Sequence, residues 1–258
     1  MSGSRPRVDE GFFVSRRGAV TDLLYMTDSY LREFPATVTA VQGQMAALDR
    51  TAFYSGGGGQ PCDAGTLRAA AGGATWRVVK TARQGGEVWH ELEGGQLPAV
   101  GDQVTGALDW ARRYQHMRTH TALHILCGVI WRDFGAQVTG GNMEPLAARM
   151  DFELEQMSAD FAERVEALVN AEVQAARPIR VGILPREEAF QIPDLIRTKI
   201  NLLPEGIREV RIVEIKGLDL QADGGTHVAN TREVGHIRVV GHESKGRINK
   251  RLRIVIEG

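Results

Sequence analysis

The chain of 258 residues lacks most of the devices that mark specialised proteins. It has two cysteines, Cys62 and Cys127, so no disulfide framework can hold it together, and a reducing cytoplasm suits it. Its apolar runs are short and interrupted, and none approaches the length of a bilayer span. Residues 1–17 carry several arginines together with Asp9 and Glu10, and no apolar segment of the secretory-signal kind follows. Charge of one sign is also missing: the formal net charge is −1, which offers no bulk attraction to phosphate. Internal repeats and low-complexity tracts are absent. The remainder is ordinary, with 43% hydrophobic and 24% charged residues, which excludes a wholly disordered chain and leaves room for two modest domains.

What is present divides into two characters. From Leu23 to Asp109 the sequence is glycine-rich and strand-like: Ala36–Val41 and Glu87–Leu92 alternate, Thr75–Lys80 suits a strand, and Gly, Pro and Asp clusters punctuate them. A small β-barrel-like domain over residues 23–109 is the economical reading, with residues 1–22 as a flexible extension. Beyond Trp110 helical spacing begins. Leu123, Leu126, Ile130 and Phe134 mark an amphipathic helix over Tyr114–Phe134. A second helix starts at the cap Ser158, carries the stripe Phe161, Val165, Leu168 and Val173, and stops at Arg177 because Pro178 cannot continue it. Strands return at Val210–Ile215, His236–Val240 and Arg251–Glu257. The expected class is therefore α+β, with a mixed or antiparallel sheet and packed helices over residues 110–258.

Six of the seven histidines lie after Trp110, and three share a helix. His116, His120 and His124 stand four apart on one face. A pair at i and i+4 can converge on one ion, but His116 and His124 are about 12 Å apart along the axis and cannot. Cys127 lies about 10.5 Å beyond His120 and reads as a small buried hydrophobe. Far along the chain, Asp223-Gly224-Gly225-Thr226-His227 offers a carboxylate and an imidazole on a glycine turn, where glycine permits a sharp fold. Two helical ligands plus one or two from a distant turn is a common way to assemble a catalytic zinc site. The four glycines Gly56–Gly59 before Gln60-Pro61 are no phosphate loop, because the Lys-Ser/Thr of that motif is missing, and ATP binding is not expected.

These elements, taken in order, resemble a known family. Arg118–Leu126 looks like the HxxxH element of the alanyl-tRNA editing domain found inside alanyl-tRNA synthetase and in freestanding AlaX proteins. Gly224–His227 is similar to that domain's second element, and Ser244–Gly246 with Arg251–Arg253 to its ending. Asp49–Tyr54 with Gly56–Pro61 resembles the glycine-rich motif of the longer AlaX proteins. The resemblance implies a zinc-dependent hydrolase that deacylates tRNA(Ala) mischarged with serine, and with glycine as a second substrate. It places the zinc ligands on His120, His124 and His227, and the fourth, normally cysteine, on Asp223. That carboxylate either ligates directly, which we favour, or stands behind His227 or a bound water and orients it. His116 matches nothing in the family and is left to structure or to the mouth of the site. Gln60 and Thr139 are the polar groups expected to meet substrate, Gln60 from a flexible glycine loop beside the pocket. The basic run supplies Lys245, Arg247, Lys250 and Arg251 for RNA. Two rival readings remain: a zinc hydrolase of small esters or amides, and a non-catalytic tRNA-binding module with a structural metal.

Overall fold

The computed structural model describes residues 20–198 and 206–258. In chain order its first strands are β1 (Asp22–Leu23), β2 (Glu33–Gln42), β3 (Met45–Leu48), β4 (Arg50–Thr51), β5 (Gly65–Ala69), β6 (Thr75–Gln84), β7 (Glu87–Glu93) and β8 (Gln103–Leu108). Six of them close a barrel in the order β2-β3-β7-β6-β5-β8, every neighbouring pair antiparallel, while β1 and β4 form a short parallel pair. Closure removes the open edges that a sheet of this length would otherwise expose. The strands read in the sequence at Ala36–Val41, Thr75–Lys80 and Glu87–Leu92 fall within β2, β6 and β7. Alternation fills the interior: Phe34, Ala36 and Val38 from β2 meet Leu67, Trp76, Val78, Leu92 and Val104. Gly106 leaves the room that Phe34 occupies, since a Cβ there would lie 2.5 Å from the ring. Of the expected extension, residues 1–19 lie outside the described residues. Thr21 is buried and donates its hydroxyl to the Leu48 carbonyl at 2.9 Å.

Asp109 ends the barrel and starts α1 (Trp110–Phe134), its carboxylate accepting from Arg112 N–H at 3.1 Å. Gly135, at φ 64°, closes that helix with its N–H on Trp131 O. The apolar stripe predicted an amphipathic helix with a wet face. Instead every residue from Thr119 to Ile130 is buried. The reason is position: α1 is packed by α2 (Ala159–Gln174), β9 (Val138–Glu144) and β10 (Ala147–Glu153), and by β13 (Asp219–Ala222) and β15 (Asn249–Glu257). Ser158 caps α2 as read, accepting from Phe161 N–H at 3.2 Å. The helix stops at Gln174 rather than Arg177, because Ala176 turns to φ 51° ahead of Pro178.

The remaining elements are β11 (Ile179–Pro185), α3 (Arg186–Ala189), β12 (Glu209–Ile215) and β14 (His236–Gly246). Two antiparallel sheets result, β14-β15-β10-β9 and β11-β12-β13. Leu252, Ile254 and Ile256 share the face of β15 that joins the core around α1, as their spacing predicted. Barrel and helix are tied by a buried ion pair. Arg113, completely buried, donates to the Asp63 carboxylate and to the carbonyls of Ser29 and Ala52. Satisfying that guanidinium so fully is what makes its burial tolerable. The molecule is thus α+β, and among its described residues no helix is long and apolar enough to cross a membrane.

Gly106→Ala is expected to lower stability by about 1–3 kcal/mol through overpacking. Adding Phe34→Leu should recover part of the loss. Urea unfolding measures both, and a Gly106→Ala midpoint equal to wild type would mean the barrel interior is not packed in this way.

Candidate metal centre

Helix α1 sets His120 and His124 one turn apart, their rings 5.1 Å between centroids and nearly perpendicular. The chain leaving β13 brings in Asp223 and His227. The His227 ring lies 4.3 Å from His120 and 4.6 Å from His124. One donor atom from each of His120, His124, Asp223 and His227 falls within 4.8 Å of all the others. His227 Nε2 is 3.0 Å from Asp223 Oδ2, and His120 Nε2 is 3.5 Å from Asp223 Oδ1. Donors around a tetrahedral ion bound at about 2.0–2.1 Å stand about 3.4 Å from one another, so the group fits one ion.

Each imidazole presents Nε2 inward because Nδ1 is held from behind by a different residue. His120 Nδ1–H donates to Gln60 Oε1 at 3.0 Å and His124 Nδ1–H to Asp219 Oδ2 at 3.1 Å, while His227 Nδ1 lies 3.2 Å from the hydroxyl Thr121 Oγ1. The acceptors assign two of the tautomers: Oε1 of Gln60 also accepts from Thr226 N–H, and Asp219 offers a carboxylate, whereas Thr121 Oγ1 accepts from Val228 N–H and keeps its own hydroxyl proton. Such outer partners fix ring orientation and raise ligand basicity in metal sites. Burial pushes His120 down to about 4 and His227 well below the usual imidazole range, so both are neutral. For His124 burial acts downward too, but the Asp219 hydrogen bond and the nearby carboxylates outweigh it. Burial works against ionised Asp223, yet His120 and the hydrogen bond that His227 Nε2–H donates to it in the absence of an ion hold its carboxyl well below its ordinary value. An ionised Asp223 with neutral His120 and His227 is the protonation state that a cation requires of such ligands.

Glycine matters here for space. The sequence suggested that Gly224 and Gly225 serve a sharp turn, but neither adopts a left-handed φ. A Cβ on Gly225 would instead lie 2.3 Å from the His120 ring and 2.7 Å from Gln60 Oε1. Gly56 to Gly59 do take positive φ in succession. Their loop is held rather than flexible: Gly57 and Gln60 exchange backbone hydrogen bonds, Tyr54 Oη donates to Gly57 O, and Gly59 O accepts from Met143 N–H on β9. Gln60 itself is buried, with Nε2 donating to Thr226 Oγ1 at 2.9 Å. Its amide is fully engaged in holding His120 and Thr226 and faces no open space.

A cavity of about 550 Å³ opens beside the donors, lined by His120, His124 and Asp223, by Gly58 and Gly59, and by Gly140 and Gly141 of β9. Leu123, Cys127, Val138, Met150 and Leu195 form its apolar wall, and burial pushes the Cys127 thiol well up, as suits a small hydrophobe. Thr139 also lines the cavity, and its hydroxyl donates to Asn249 Oδ1 at 2.8 Å. His116 is completely buried and does not line the cavity, which removes it from the mouth of the site. The four basic residues are less available than the sequence implied. Lys250 is buried and closes the β14–β15 turn, donating to Gly246 O and Arg247 O. Arg251 is clamped on Asp151 at 2.7 and 2.8 Å, and Lys245 lies 3.1 Å from Glu243. Arg247 alone of the four is exposed without an ion pair among the described residues.

Three residues that the sequence reading missed complete the centre: Asp219, Thr121 and Arg211. Buried Arg211 donates Nη1–H to the Asp223 carbonyl at 2.9 Å and Nε–H to Met26 O at 2.7 Å, with Nη1 3.6 Å from the Asp223 carboxylate. Thr121 adjoins His120 in sequence and could have been suspected. Arg211 sits in β12 among alternating charged and apolar residues and Asp219 opens β13, so neither strand marks its charge as buried.

Gly225→Ala is expected to weaken metal binding at least tenfold, because its methyl group and the His120 ring cannot coexist. Asp223→Ala should also lower metal affinity, and Asp223→Cys should restore it. Metal titration against a chromophoric chelator tests both. Unchanged affinity in Asp223→Ala would move this carboxylate behind His227.

Comparison with known proteins agrees with this layout. Residues 18–112 match a family profile described as tRNA synthetases class II (A). Residues 210–253 match the threonyl and alanyl tRNA synthetase second additional domain. The helical histidines lie between the two stretches. The AlaX-M alanyl-tRNA editing protein of Methanosarcina barkeri is 38% identical over 237 residues, 90% of this chain and 98% of that protein. The AlaX-M protein of Saccharolobus solfataricus is 37% identical over 240 residues, covering 92% of this chain and all of its own length. An alanine–tRNA ligase of Pyrobaculum neutrophilum is 38% identical over 235 residues, which is 86% of this chain but 26% of the ligase. With such identity along nearly the whole of both chains, and a buried His-His-Asp-His group at the junction of barrel and helix, the chain belongs to the AlaX-M family of alanyl-tRNA editing proteins.

Proposed function

We propose that this chain is a trans-editing hydrolase that removes serine, and secondarily glycine, from mischarged tRNA(Ala), with zinc held by His120, His124, Asp223 and His227. The observation that carries the reading is the convergence of four donors beside a cavity, each imidazole oriented from behind. Relatives named as alanyl-tRNA editing proteins support it. Three imidazole nitrogens and one carboxylate oxygen suit zinc, and the cysteine-rich closed set typical of a structural zinc is not what these residues offer. Bound zinc would supply Lewis acidity toward an ester carbonyl or toward water.

The chain's own residues do the rest. In the hydrolysis, water oxygen adds to the ester carbonyl carbon, the bond to the ribose oxygen breaks, and that oxygen leaves with the proton. Apart from the donors, the titratable side chains lining the cavity among the described residues are Arg197 and Cys127. Neither is a base, so the vicinal ribose hydroxyl of the substrate is the group left to position water. The apolar wall from Leu123 to Leu195 excludes bulk solvent around a small side chain. Thr139 gives its proton to Asn249, which leaves its oxygen lone pairs free to accept from a serine hydroxyl. Sites that hydrogen-bond such a group reject analogues lacking it far better than apolar pockets separate isosteres, by up to about 10⁴–10⁵-fold. Glycine has no hydroxyl, and its removal rests on the family resemblance alone. Gln60 acts through His120.

Single-turnover deacylation of Ser-, Gly- and Ala-tRNA(Ala), with and without a chelator, tests the reading. Serine should leave at least 100-fold faster than alanine, the chelator should abolish turnover, and Thr139→Val should narrow the ratio. Equal serine and alanine rates would sink the hydroxyl reading. Faster hydrolysis of free seryl esters than of Ser-tRNA(Ala) would favour a small-ester hydrolase.

A further inference from the structure

The pleat of β13 sorts its residues onto two faces. Leu220 and Ala222 pack against the apolar cluster of Ala189, Leu195 and Val210, so Asp219 and Gln221 point the other way. The same row continues to Asp223, just past the end of the strand. Asp219 stands behind His124, and Asp223 is one of the four donors. Gln221 falls between them and lines the cavity. Its amide lies against the Cys127 thiol, which belongs to the cavity wall.

Half of that amide is accounted for. Gln221 Nε2 donates to Asp219 Oδ2 at 2.6 Å, and Arg197 lies 3.6 Å from the other oxygen of the same carboxylate. A carboxylate only accepts, so the end of the amide that meets it is the NH2, and this contact decides which way the amide is turned. Oε1 is the end turned away from Asp219, and among the described residues no donor is hydrogen-bonded to it. Of the other side chains on the cavity that could accept, Asp223 is committed to the donor set, Thr198 is already engaged, and Thr139 and Asn142 stand exposed on β9. An aminoacyl ester brings one group that suits such an oxygen. Its α-ammonium is two bonds from the carbonyl carbon that must approach the donors, so its acceptor has to stand beside the metal centre. Alternate residues of a strand are about 6.6 Å apart, which puts Gln221 within a side chain's reach of Asp223. A hydrogen bond from a charged donor is stronger than one between neutral groups, and a carboxylate in place of this amide would be repelled by Asp219 and Asp223 alike.

We propose that Gln221 Oε1 receives the α-ammonium of the aminoacyl group, which makes Gln221 a substrate-contacting residue that restricts the site to esters with a free α-amino group. The inference rests on the proposed function for its substrate. It gives β13 the main-chain end of the amino acid and leaves the serine hydroxyl to Thr139 on β9.

The test uses the zinc-loaded full chain and two ligands that cannot be hydrolysed as esters. One is 3′-amino-3′-deoxyadenosine carrying serine through an amide bond. The other carries 3-hydroxypropanoate instead, so that hydrogen replaces the ammonium and the side-chain hydroxyl stays. Calorimetry measures both on wild type and on Gln221→Met, which keeps the length of the side chain and removes the acceptor. Wild type should favour the ammonium ligand by about tenfold or more, and Gln221→Met should bring the two within about threefold. Thr139→Val should keep the wild-type ratio, because both ligands carry the hydroxyl. A role for Gln221 exerted only through Asp219 and His124 would weaken both ligands alike in Gln221→Met and leave their ratio as in wild type, which would overturn the inference. A wild type that binds the two equally, or binds neither, would overturn it as well, and a ratio that collapses in Thr139→Val but not in Gln221→Met would move the ammonium contact to β9. Wild type that shows the Gln221-dependent preference yet leaves Ser-tRNA(Ala) intact would overturn the proposed reaction and leave the ammonium contact standing.

Discussion

Three imidazoles and a carboxylate, all nearly dry and within 4.8 Å of one another, form an arrangement that a protein can hold only if every polar atom has somewhere to go. That requirement organises the molecule. The inward nitrogens and oxygen face the ion site, so each outward nitrogen must be met by a partner from behind. Gln60 arrives from the barrel loop, Asp219 from β13 and Thr121 from α1 itself, next to His120. Arg211 bridges the Asp223 carbonyl to Met26 beside the barrel. The barrel is therefore part of the centre's scaffold, although none of the four donor residues lies in it.

The same requirement explains the rigid interface. Gln60 can hold His120 only if its loop is fixed, and four successive left-handed glycines together with the Gly59–Met143 hydrogen bond fix it. The Arg113–Asp63 pair ties α1 to the chain that leaves this loop, two residues before it rejoins the barrel. A shift between the two halves would misplace His120 relative to Asp223. Gly225 closes the arrangement from the other side, where nothing larger than hydrogen fits.

Beside this dry centre lies a cavity whose rim is largely backbone, from Gly58, Gly59, Gly140 and Gly141. Backbone at a rim admits close approach by a polymer end, and an apolar wall behind it suits a small side chain. Strand β9 joins this rim to the four-stranded sheet, so the four donors, the cavity and that sheet are continuous through one edge strand.

Local pattern alone was enough for much of this protein. The alternation in β2, β6 and β7, the cap at Ser158 and the i, i+4 spacing of His120 and His124 are consequences of neighbouring residues and could be read directly. The family motifs added Asp223 and His227. Contacts between distant segments could not be read, because nothing in the run Glu209–Ile215 announces that Arg211 faces a carboxylate, nor in Asp219 that it meets a histidine 95 residues earlier. Whether Gln60 touches substrate or a ligand, whether α1 has a wet face, and whether Lys250 is exposed were likewise decided by packing. Spacing along one element is set by backbone geometry, whereas burial and partnership are set by what the rest of the chain brings alongside.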